Sequence, residues 1–339
     1  MFLFSVIRGT IFIAIVHHTT KAKGKQEFPK IFFIKSVDEI DAVGHRVLHG
    51  GDKFVESCII DEACKQAIRD CIPLGPLHNP ANLMGIEACE KAMPGKPQVA
   101  VFDTAFHMTM PPKAYRYAIP TKYYTEDHLR RYGFHGTSHR FVSKRCIELM
   151  GNKDIKLVNC HLGNGSSLSA VKDGKCQDTS MGLSPLAGVP MGTRAGDIDT
   201  CVAQFIMNKY GMSADDCLTM LNKKSGVLAL SDGVSSDFRD LDAAAEKGNE
   251  AAQLALDKFA YEVRKYIGAY AAALGGVDCI VFTAGVGENS SSMRASICDG
   301  LEYLGVKLDA EKNKLRGEEV IISTPDSKVK VFVIPTNEE

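Results

Sequence analysis

The feature that most constrains the fold is an alternation of short apolar segments with longer segments of helical spacing. The segments predicted as strands span residues 40–48, 99–102, 155–160, 279–283, 320–323 and 329–334. The segments predicted as helices span residues 58–71, 81–93, 137–150, 198–210, 214–223 and 243–274. Strands that alternate with helices indicate an α/β protein with mostly parallel sheets. A length of 339 residues predicts two domains.

Charge and cysteine content limit the partners and the cellular compartment that we expect for this chain. There are 40 lysines and arginines against 41 aspartates and glutamates, and no block of like charge indicates a nucleic-acid surface. The apolar stretch 1–16 is interrupted by Arg8, is too short to span a bilayer, and lacks the preceding positive charge of a secretory signal. The 11 cysteines contain no C-x-x-C pair and are read as reduced thiols. We therefore expect a cytoplasmic protein that binds neither nucleic acid nor membrane.

Polar or glycine-rich segments follow four of the predicted strands, where open α/β sheets hold their ligands. These segments contain Arg46, Asp103, the loop from His161 to Ser167 and the loop from Gly285 to Asn289. Glycines allow backbone N–H groups to approach a phosphate, although the first loop also fits a plain hairpin turn. An arginine beside glycines fits a carboxylate or phosphate clamp, with a surface ion pair as the alternative.

Three side chains fit the transfer of a phosphoryl group. Arg194 is a second arginine in a glycine-rich loop, and two arginines from separate loops suit a group whose charge spreads over its oxygens. Asp103 at a strand end can hold Mg²⁺ or orient a nucleophile, unless it only caps a helix. Glycines on both sides of His135 would leave its ring accessible, although a lone histidine is commonly structural. Histidine and cysteine spacings do not suggest a zinc site.

Nine ordered segments are together far more specific than any one of these motifs. They read GHRVLHGG, GPLHNPAN, VFDTAFHMTMP, RRYGFHGTSH, HLGNGSSL, MGTRAGD, SSDFRD, FTAGVGENS and PTNEE. Over roughly residues 36–339 the chain resembles the acetate kinase (acetokinase) family, close to propionate kinases. The resemblance implies two duplicated α/β domains of the actin/hexokinase/Hsp70-like (ribonuclease H-like) type around a nucleotide cleft. Residues 1–150 would form an acyl-substrate domain and residues 151–339 a nucleotide-binding domain.

The resemblance also implies a reaction and a set of site residues. The reaction is reversible phosphoryl transfer from ATP to acetate, giving acetyl phosphate and ADP, with Mg²⁺ or Mn²⁺, in a homodimer. Catalytic roles are implied for Asp103, His135 and Arg194. Substrate binding is implied for Arg46, Leu48, Leu77, Phe134 and Pro185. Nucleotide binding is implied for His161, Leu162, Gly163, Asn164, Gly165, Asp237, Phe238, Arg239, Gly285, Val286, Gly287, Glu288 and Asn289. Metal binding is implied for Glu338.

The amino-terminal region departs from the family pattern. The family opens with a strand and an N-x-G-S-S-S loop, which this sequence lacks, and residues 1–35 match no family segment. We therefore expect one half of a phosphate clamp to be missing, weakened activity and an exposed sheet edge. The alternatives are a propionate or butyrate kinase, a pyrophosphate-using variant, or a catalytically impaired nucleotide-binding fragment.

Overall fold

The computed structural model describes residues 12–15, 37–76 and 78–337. Packing divides the chain into two compact units, the first ending at Ala105 and the second beginning at Phe106. Residues 106–150, which the sequence analysis assigned to the first domain, therefore pack with the second unit. Within this stretch, Val142 and Cys146 lie in one apolar cluster with Leu157. The roles assigned to the two predicted domains stay predictions.

The first unit is built on a four-stranded sheet in the order β1-β2-β4-β3. Its strands are β1 (Phe12–Ile15), β2 (Ala42–Val47), β3 (Cys58–Ile59) and β4 (Gln98–Phe102), and its helices are α1 (Glu62–Asp70) and α2 (Asn79–Ala92). Strands β2 and β4 run parallel, and the other two pairings are antiparallel. Val47 and Phe102 from the sheet form its core with Ile68 and Ile86 from the helices.

Strand β1 covers one edge of β2, where an exposed sheet edge was expected. It pairs antiparallel with β2, with Phe12 opposite His45 and Ile15 opposite Ala42. The expectation was therefore wrong for β2, which has a neighbour on each side. Residues 1–11 and 16–36 lie outside the described residues.

The second unit is built on a six-stranded sheet in the order β7-β6-β5-β8-β10-β9. Its strands are β5 (Lys156–Leu162), β6 (Ser166–Lys172), β7 (Lys175–Thr179), β8 (Cys279–Thr283), β9 (Val320–Ile321) and β10 (Lys330–Val333). Its helices are α3 (Pro112–Tyr115), α4 (Lys122–Thr125), α5 (Gly136–Met150), α6 (Thr200–Tyr210), α7 (Ala214–Lys223), α8 (Gly226–Leu230), α9 (Phe238–Glu246), α10 (Glu250–Leu274), α11 (Ala284–Asn289) and α12 (Ser291–Cys298).

Both faces of the second sheet are buried. On β5, Val158 belongs to the cluster that contains Phe259 of α10, whereas its neighbour Leu157 belongs to the cluster that contains Val142 of α5. Successive strand residues point to opposite faces, so one helix covers each face. The α/β class is thereby confirmed. The expectation of mostly parallel sheets was wrong, because tight turns join β5, β6 and β7 and force antiparallel pairing.

The long helix predicted over residues 243–274 is two helices. Gly248 has a φ of +87°, and the Asn249 side chain then caps α10 by accepting a hydrogen bond from the Ala252 N–H at 2.9 Å. The predicted segment 58–71 likewise contains β3 before α1, because Asp61 caps the helix through the Cys64 N–H. None of the helices in the described ranges combines the length and apolar character needed to cross a membrane.

Candidate active site

In the first unit the structure brings Arg46 and Asp103 together. Arg46 lies on β2 and Asp103 directly follows β4, and the two strands run parallel, so both residues lie at the carboxyl ends. Arg46 Nε donates to Asp103 Oδ1 at 2.9 Å and its Nη2 donates to Oδ2 at 2.6 Å. The Asp103 side chain is fully buried, whereas 28% of the Arg46 side chain is exposed. The pair is therefore a bidentate clamp with its guanidinium partly open to solvent.

Two asparagines that the sequence analysis missed hold the segment after Arg46. Asn82 Oδ1 accepts from the Leu48 N–H at 3.1 Å, and Asn82 Nδ2 donates to the Arg46 carbonyl at 3.2 Å. Asn79 makes the same two-way contact with the backbone of His49. Both asparagines lie on α2, in the quoted motif GPLHNPAN, so their position in a matching motif was the available signal. They fix Leu48, whose side chain is buried; Leu77 lies outside the described residues.

The glycine-rich segment of the second unit is shorter as a loop than predicted. His161 and Leu162 belong to β5, Ser166 and Ser167 belong to β6, and only residues 163–165 form the turn. The hairpin is tight because the Gly163 N–H donates to the Gly165 carbonyl at 3.1 Å. The Leu162 side chain lies in the hydrophobic core, so it cannot contact a ligand directly.

His135 has a left-handed backbone, with a φ of 57°, at the start of α5. The helix begins at Gly136, one residue before the predicted start, and the Ser138 hydroxyl contacts His161 Nδ1 at 2.8 Å. The rings of His135 and His161 stack, with centroids 4.1 Å apart. His135 Nδ1 lies 2.8 Å from the Ser167 hydroxyl.

The other ring nitrogen of His135 faces the Gly165 turn together with Arg194. A Cβ added to Gly165 would lie 3.3 Å from His135 Nε2 and 3.5 Å from Arg194 Nη1. The space that glycine leaves is therefore flanked by a ring nitrogen and a guanidinium nitrogen. This arrangement suits an anion with several oxygens.

Arg194 is half-buried and has no carboxylate partner among the described residues. Its Nη1 contacts the Pro185 carbonyl at 3.4 Å and the Met191 sulfur at 3.5 Å, both weak neutral partners. Burial lowers the pKa of its guanidinium. Gly192, in the same loop, leaves room for Asn164, whose Oδ1 would lie 1.8 Å from a Cβ at that position. A desolvated cation without a counter-charge favours the binding of an anion.

A cleft of about 480 Å³ adjoins the Gly163–Gly165 turn within the second unit, a volume typical of a small-molecule site. Its lining includes eight residues predicted to bind nucleotide: Gly163, Asn164, Asp237, Phe238, Arg239, Gly285, Val286 and Asn289. Asp237 caps α9 and binds Arg239 through a side-chain ion pair, and this hydrogen bonding lowers the pKa of Asp237 to about 2. Phe238 packs its ring on Phe259 in the core.

Five residues that the sequence analysis missed also line this cleft: Ser236, Asp242, Ser290, Ser292 and Arg316. Arg316 is exposed and comes from a distant part of the chain, so no local motif marked it. Burial raises the pKa of Asp242, Glu246 adds to that effect, and Arg316 opposes it. The lining of the cleft thus combines an exposed arginine with the neutral donors of the Gly163 turn.

The segment from Gly285 to Asn289 is a short helix, α11, and not the predicted loop. Glu288 accepts hydrogen bonds from the N–H groups of Ala284 at 2.7 Å and Thr336 at 3.0 Å. The Glu288 carboxylate therefore holds the backbone and does not line the cleft. Gly287 does not line it either, since a Cβ there would lie 3.3 Å from the backbone of Phe282.

Arg294 is a fully buried arginine that the sequence analysis did not single out. Its guanidinium donates to the carbonyls of Gly287, Glu288 and Leu315, and to Asn313. Burial lowers the pKa of Arg294 to about 10. By tying α11 to the residue that precedes Arg316, Arg294 fixes two walls of the cleft.

The remaining predicted residues have structural contacts. Phe134 is buried, and its carbonyl accepts from His107 Nε2 at 2.9 Å. Pro185 is half-buried beside Arg194. Glu338, the predicted metal ligand, lies outside the described residues. Over residues 12–15, 37–76 and 78–337, histidine, cysteine, aspartate and glutamate side chains form no group of three that could hold a metal ion.

Comparison with known proteins extends these observations. The chain matches the Acetokinase family over residues 15–339. It is 64% identical over 306 residues to the acetate kinase of Finegoldia magna, covering 90% of this chain and 77% of that relative. It resembles the crystal structure of Porphyromonas gingivalis acetate kinase with a TM-score of 0.86 and 51% identity, covering 90% of this chain and 77% of that one. It also resembles a propionate kinase from Francisella tularensis with a TM-score of 0.86 and 42% identity, covering 89% and 78% of the two chains. The similarity extends through both compact units.

Proposed function

The chain belongs to the acetokinase family, and from that premise we propose how its residues carry out the reaction. The resemblance seen in nine sequence segments is confirmed. The protein is an acetate kinase, a phosphotransferase with a carboxyl acceptor, which converts ATP and acetate to ADP and acetyl phosphate. A carboxylate oxygen of acetate attacks the γ-phosphorus, and the bond from that phosphorus to the β-γ bridging oxygen breaks. Because acetate is already ionised at pH 7, the attack needs no general base, and catalysis depends on positioning and charge.

The convergence of Arg194 and His135 Nε2 at Gly165 is the observation that carries the proposal. Both groups would donate to the equatorial oxygens of the transferring phosphoryl group. Charge on those oxygens is the principal feature of the transition state, so donors aimed there accelerate the transfer. Arg194 is partly desolvated and has no carboxylate partner among the described residues, so it would recover its desolvation cost when the phosphoryl group binds.

The Arg46–Asp103 pair supports a role in holding acetate. Asp103 engages Arg46 through both oxygens, so it would orient the guanidinium and not remove a proton. The exposed part of Arg46 would bind the acetate carboxylate. Leu48, fixed by Asn82, supports the predicted contact with the methyl group. One methylene in such a pocket is worth about 1–3 kcal/mol, so propionate remains the second candidate substrate.

The cleft beside Gly163 supports nucleotide binding by the second unit. Asn164 and the Gly163–Gly165 turn would contact the phosphates, with Asp237, Arg239, Gly285 and Asn289 nearer the nucleoside. His161 would act by stacking on the His135 ring, and Gly165 would act as part of the turn. Leu162, Gly287 and Glu288 would contribute by holding the backbone.

A magnesium or manganese ion fits this site through the nucleotide. Mg²⁺ in kinases takes only one or two protein carboxylates and completes its shell with phosphates and water, so the donor set need not form a three-residue cluster. Glu338 is the proposed protein ligand. When bound, the ion neutralises charge on the phosphates.

Hydroxylamine trapping of acyl phosphate tests the proposed function. Purified protein with Mg-ATP would be given acetate, propionate or butyrate, with pyrophosphate replacing ATP in a parallel series. We expect acetate and ATP to give the highest rate, and Asp103→Ala to lower that rate about 10²-fold. Folded protein that binds ATP but yields no acyl phosphate with any acid would support the impaired-fragment alternative instead. The absence of an N-x-G-S-S-S loop is the observation behind that alternative.

We also propose that the protein acts as a homodimer through α6. Every residue of this helix is at least partly exposed, and Val202, Phe205 and Tyr210 expose 48%, 62% and 67% of their surface. An exposed row of large apolar side chains typically marks an interface. Sedimentation analysis should give a dimer for the natural protein and a monomer for Phe205→Asp. A monomer in both cases would refute the proposal.

The proposed fold type is a duplication of one ribonuclease H-like domain. It is supported by a feature that the units share: each has a parallel strand pair with site residues at the carboxyl ends, at Asp103 in one and around Ala284 in the other. A crystal structure with matching strand order in the two units would test it.

A cytoplasmic location is proposed from cysteine chemistry. All 11 cysteines are free thiols in the described chain, including Cys58 and Cys64, whose sulfurs are 3.5 Å apart. Such a pair stays reduced in the cytosol. Thiol titration of freshly lysed cells would test this.

A further inference from the structure

A chain of buried hydrogen bonds leads to the inner side of the His135 ring. The Ser167 hydroxyl lies 2.8 Å from His135 Nδ1 and 2.8 Å from His139 Nε2. The Ser169 hydroxyl lies 3.0 Å from His139 Nδ1. Ser167, Ser169 and His139 have no exposed surface, so water cannot substitute for any of these partners. The proton positions along this chain are therefore coupled.

Asn159 sets the direction of the chain. Its Nδ2 lies 2.7 Å from Ser143 Oγ, 3.3 Å from the His139 carbonyl oxygen and 3.4 Å from Ser169 Oγ. Because a carbonyl oxygen only accepts, the amide atom beside it must be the nitrogen and not the oxygen. The two N–H groups of Asn159 thus serve Ser143, the His139 carbonyl and Ser169, so Ser169 faces a donor on this side and its own proton is left for His139 Nδ1. In the opposite direction that proton would have no acceptor among the described partners of Ser169.

The direction of the Ser169 hydrogen bond fixes the positions of the protons on His139 and Ser167. With Nδ1 of His139 accepting, a neutral His139 carries its proton on Nε2 and donates it to Ser167. Ser167 then donates its own proton to His135 Nδ1. Burial lowers the pKa of His139 well below its ordinary value, and the nearby His107 and His161 act in the same direction, so His139 stays neutral. The direction is thus preserved at neutral pH.

We propose that Ser167 and His139 are positioning residues that lock His135 in the tautomer with its proton on Nε2. This nitrogen is the one that converges with Arg194 at Gly165. The chain would thereby present a ready N–H donor to the phosphoryl oxygens at no cost of reorientation during the reaction. The inference rests on the proposed role of His135 in phosphoryl transfer.

A direct test is the tautomer of His135 in the full-length chain. Long-range ¹H–¹⁵N spectra of ¹⁵N-histidine-labelled protein distinguish the two ring nitrogens, and His135→Gln assigns the signal. We expect a protonated Nε2 and an unprotonated Nδ1 in the natural protein, and a mixture of tautomers in Ser167→Ala. A proton on Nδ1 in the natural protein would overturn the inference, whatever the activity.

Kinetics separate positioning from simple loss of packing. We expect Ser167→Ala to lower kcat about tenfold while the KM values for ATP and acetate change less than about threefold. Ser167→Thr, which keeps the hydroxyl, should restore most of kcat. Ser323→Ala is the matched control, because Ser323 is also buried and bonds the Val331 N–H far along the chain. Full kcat in Ser167→Ala, or an equal loss in Ser323→Ala, would contradict the inference.

Two further variants keep the test decisive. If Ser167→Ala does not fold, Ser169→Ala should still give mixed tautomers, because it removes the donor to His139 Nδ1; an unchanged His135 tautomer there would count against the chain. Full kcat in His135→Gln would refute the proposed role of His135. The tautomer spectra would still decide whether the hydrogen-bond chain has the inferred direction.

Discussion

The two units treat an arginine beside glycines in opposite ways. In the first unit, Arg46 is held by both oxygens of the buried Asp103. In the second unit, Arg194 is half-buried, and its hydrogen-bond partners among the described residues are a carbonyl and a thioether. The charge of a paired arginine is already neutralised before any ligand binds, so the pairing mainly fixes the orientation of its guanidinium. A desolvated arginine without a counter-charge is stabilised most by a bound anion, so it mainly contributes affinity for negative charge that develops in the transition state.

The largest effect expected from this contrast is on Arg194. Arg194→Gln should lower kcat about 10³-fold, as for arginines that contact a transferring phosphoryl group. It should leave the melting temperature unchanged or raised, because the substitution removes a partly desolvated cation that has no carboxylate partner among the described residues. Hydroxamate assays and thermal unfolding measure the two quantities. Arg145→Gln, an exposed arginine paired with Glu319 on the same unit, is the control. A marked loss of stability in Arg194→Gln would contradict the contrast.

The next effect concerns the Arg46–Asp103 pair. Arg46→Ala and Asp103→Ala should each lower kcat/KM about 10²-fold, and the double variant should lose little more, because the two act as a unit. Arg46→Ala should also cost about 2–3 kcal/mol of unfolding free energy, because it leaves a buried carboxylate without its partner. Asp103→Ala should cost less, since Arg46 can reach water. Urea unfolding gives the stabilities, and additive kinetic losses would show that the residues act separately.

A smaller effect is expected where an arginine is exposed. Arg316 lies at the cleft edge in contact with solvent, so water already satisfies its charge. Arg316→Ala should raise the KM for ATP about two- to fivefold and leave kcat within about twofold, since exposed ion pairs contribute at most about 1 kcal/mol. Arg316→Lys should be close to the natural protein. A drop in kcat as large as that of Arg194→Gln would show that exposure does not separate the two arginines.

The smallest effect is the pH dependence of stability caused by His139, a buried side chain that, unlike arginine, can lose its charge. The pKa of His139 is lowered in the folded protein, so below about pH 6.5 the unfolded chain binds more protons. The contribution of His139 to stability is therefore complete above that pH and falls as the pH falls, by up to about 1.4 kcal/mol per unit. His139→Gln should flatten the stability profile between about pH 6.5 and 5, measured by urea unfolding. The same change at the exposed His128 is the control; equal flattening in both would contradict this account.

Much of the fold was predictable because it depends on local pattern. Buried apolar runs marked β4, β5 and β8 within a residue or two, and polar and apolar spacing marked α7 without error. The errors fell where one or two residues redirect the chain. Gly248 and Asn249 end one helix and begin another, where a single long helix was predicted.

The candidate site was predictable in part. Motifs named Gly163, Asn164, Asp237 and Gly285, which line one cleft. The same motifs included Leu162 and Glu288, whose side chains serve the core and the backbone. A motif identifies a segment, and pleating or hydrogen bonding then decides which of its side chains faces a ligand.

The sequence by itself determined the family, the α/β class and the segments that carry the chemistry, because those depend on residue types in a fixed order. Only the tertiary structure decided the state of each charge. Whether Arg46 is paired, Arg194 desolvated, or Arg294 tied to carbonyls depends on groups distant in the chain. The order of protons from Asn159 to His135 likewise exists only because α5 packs on β5 and β6. Burial and partner identity are properties of the packed chain, and they set the electrostatics on which phosphoryl transfer depends.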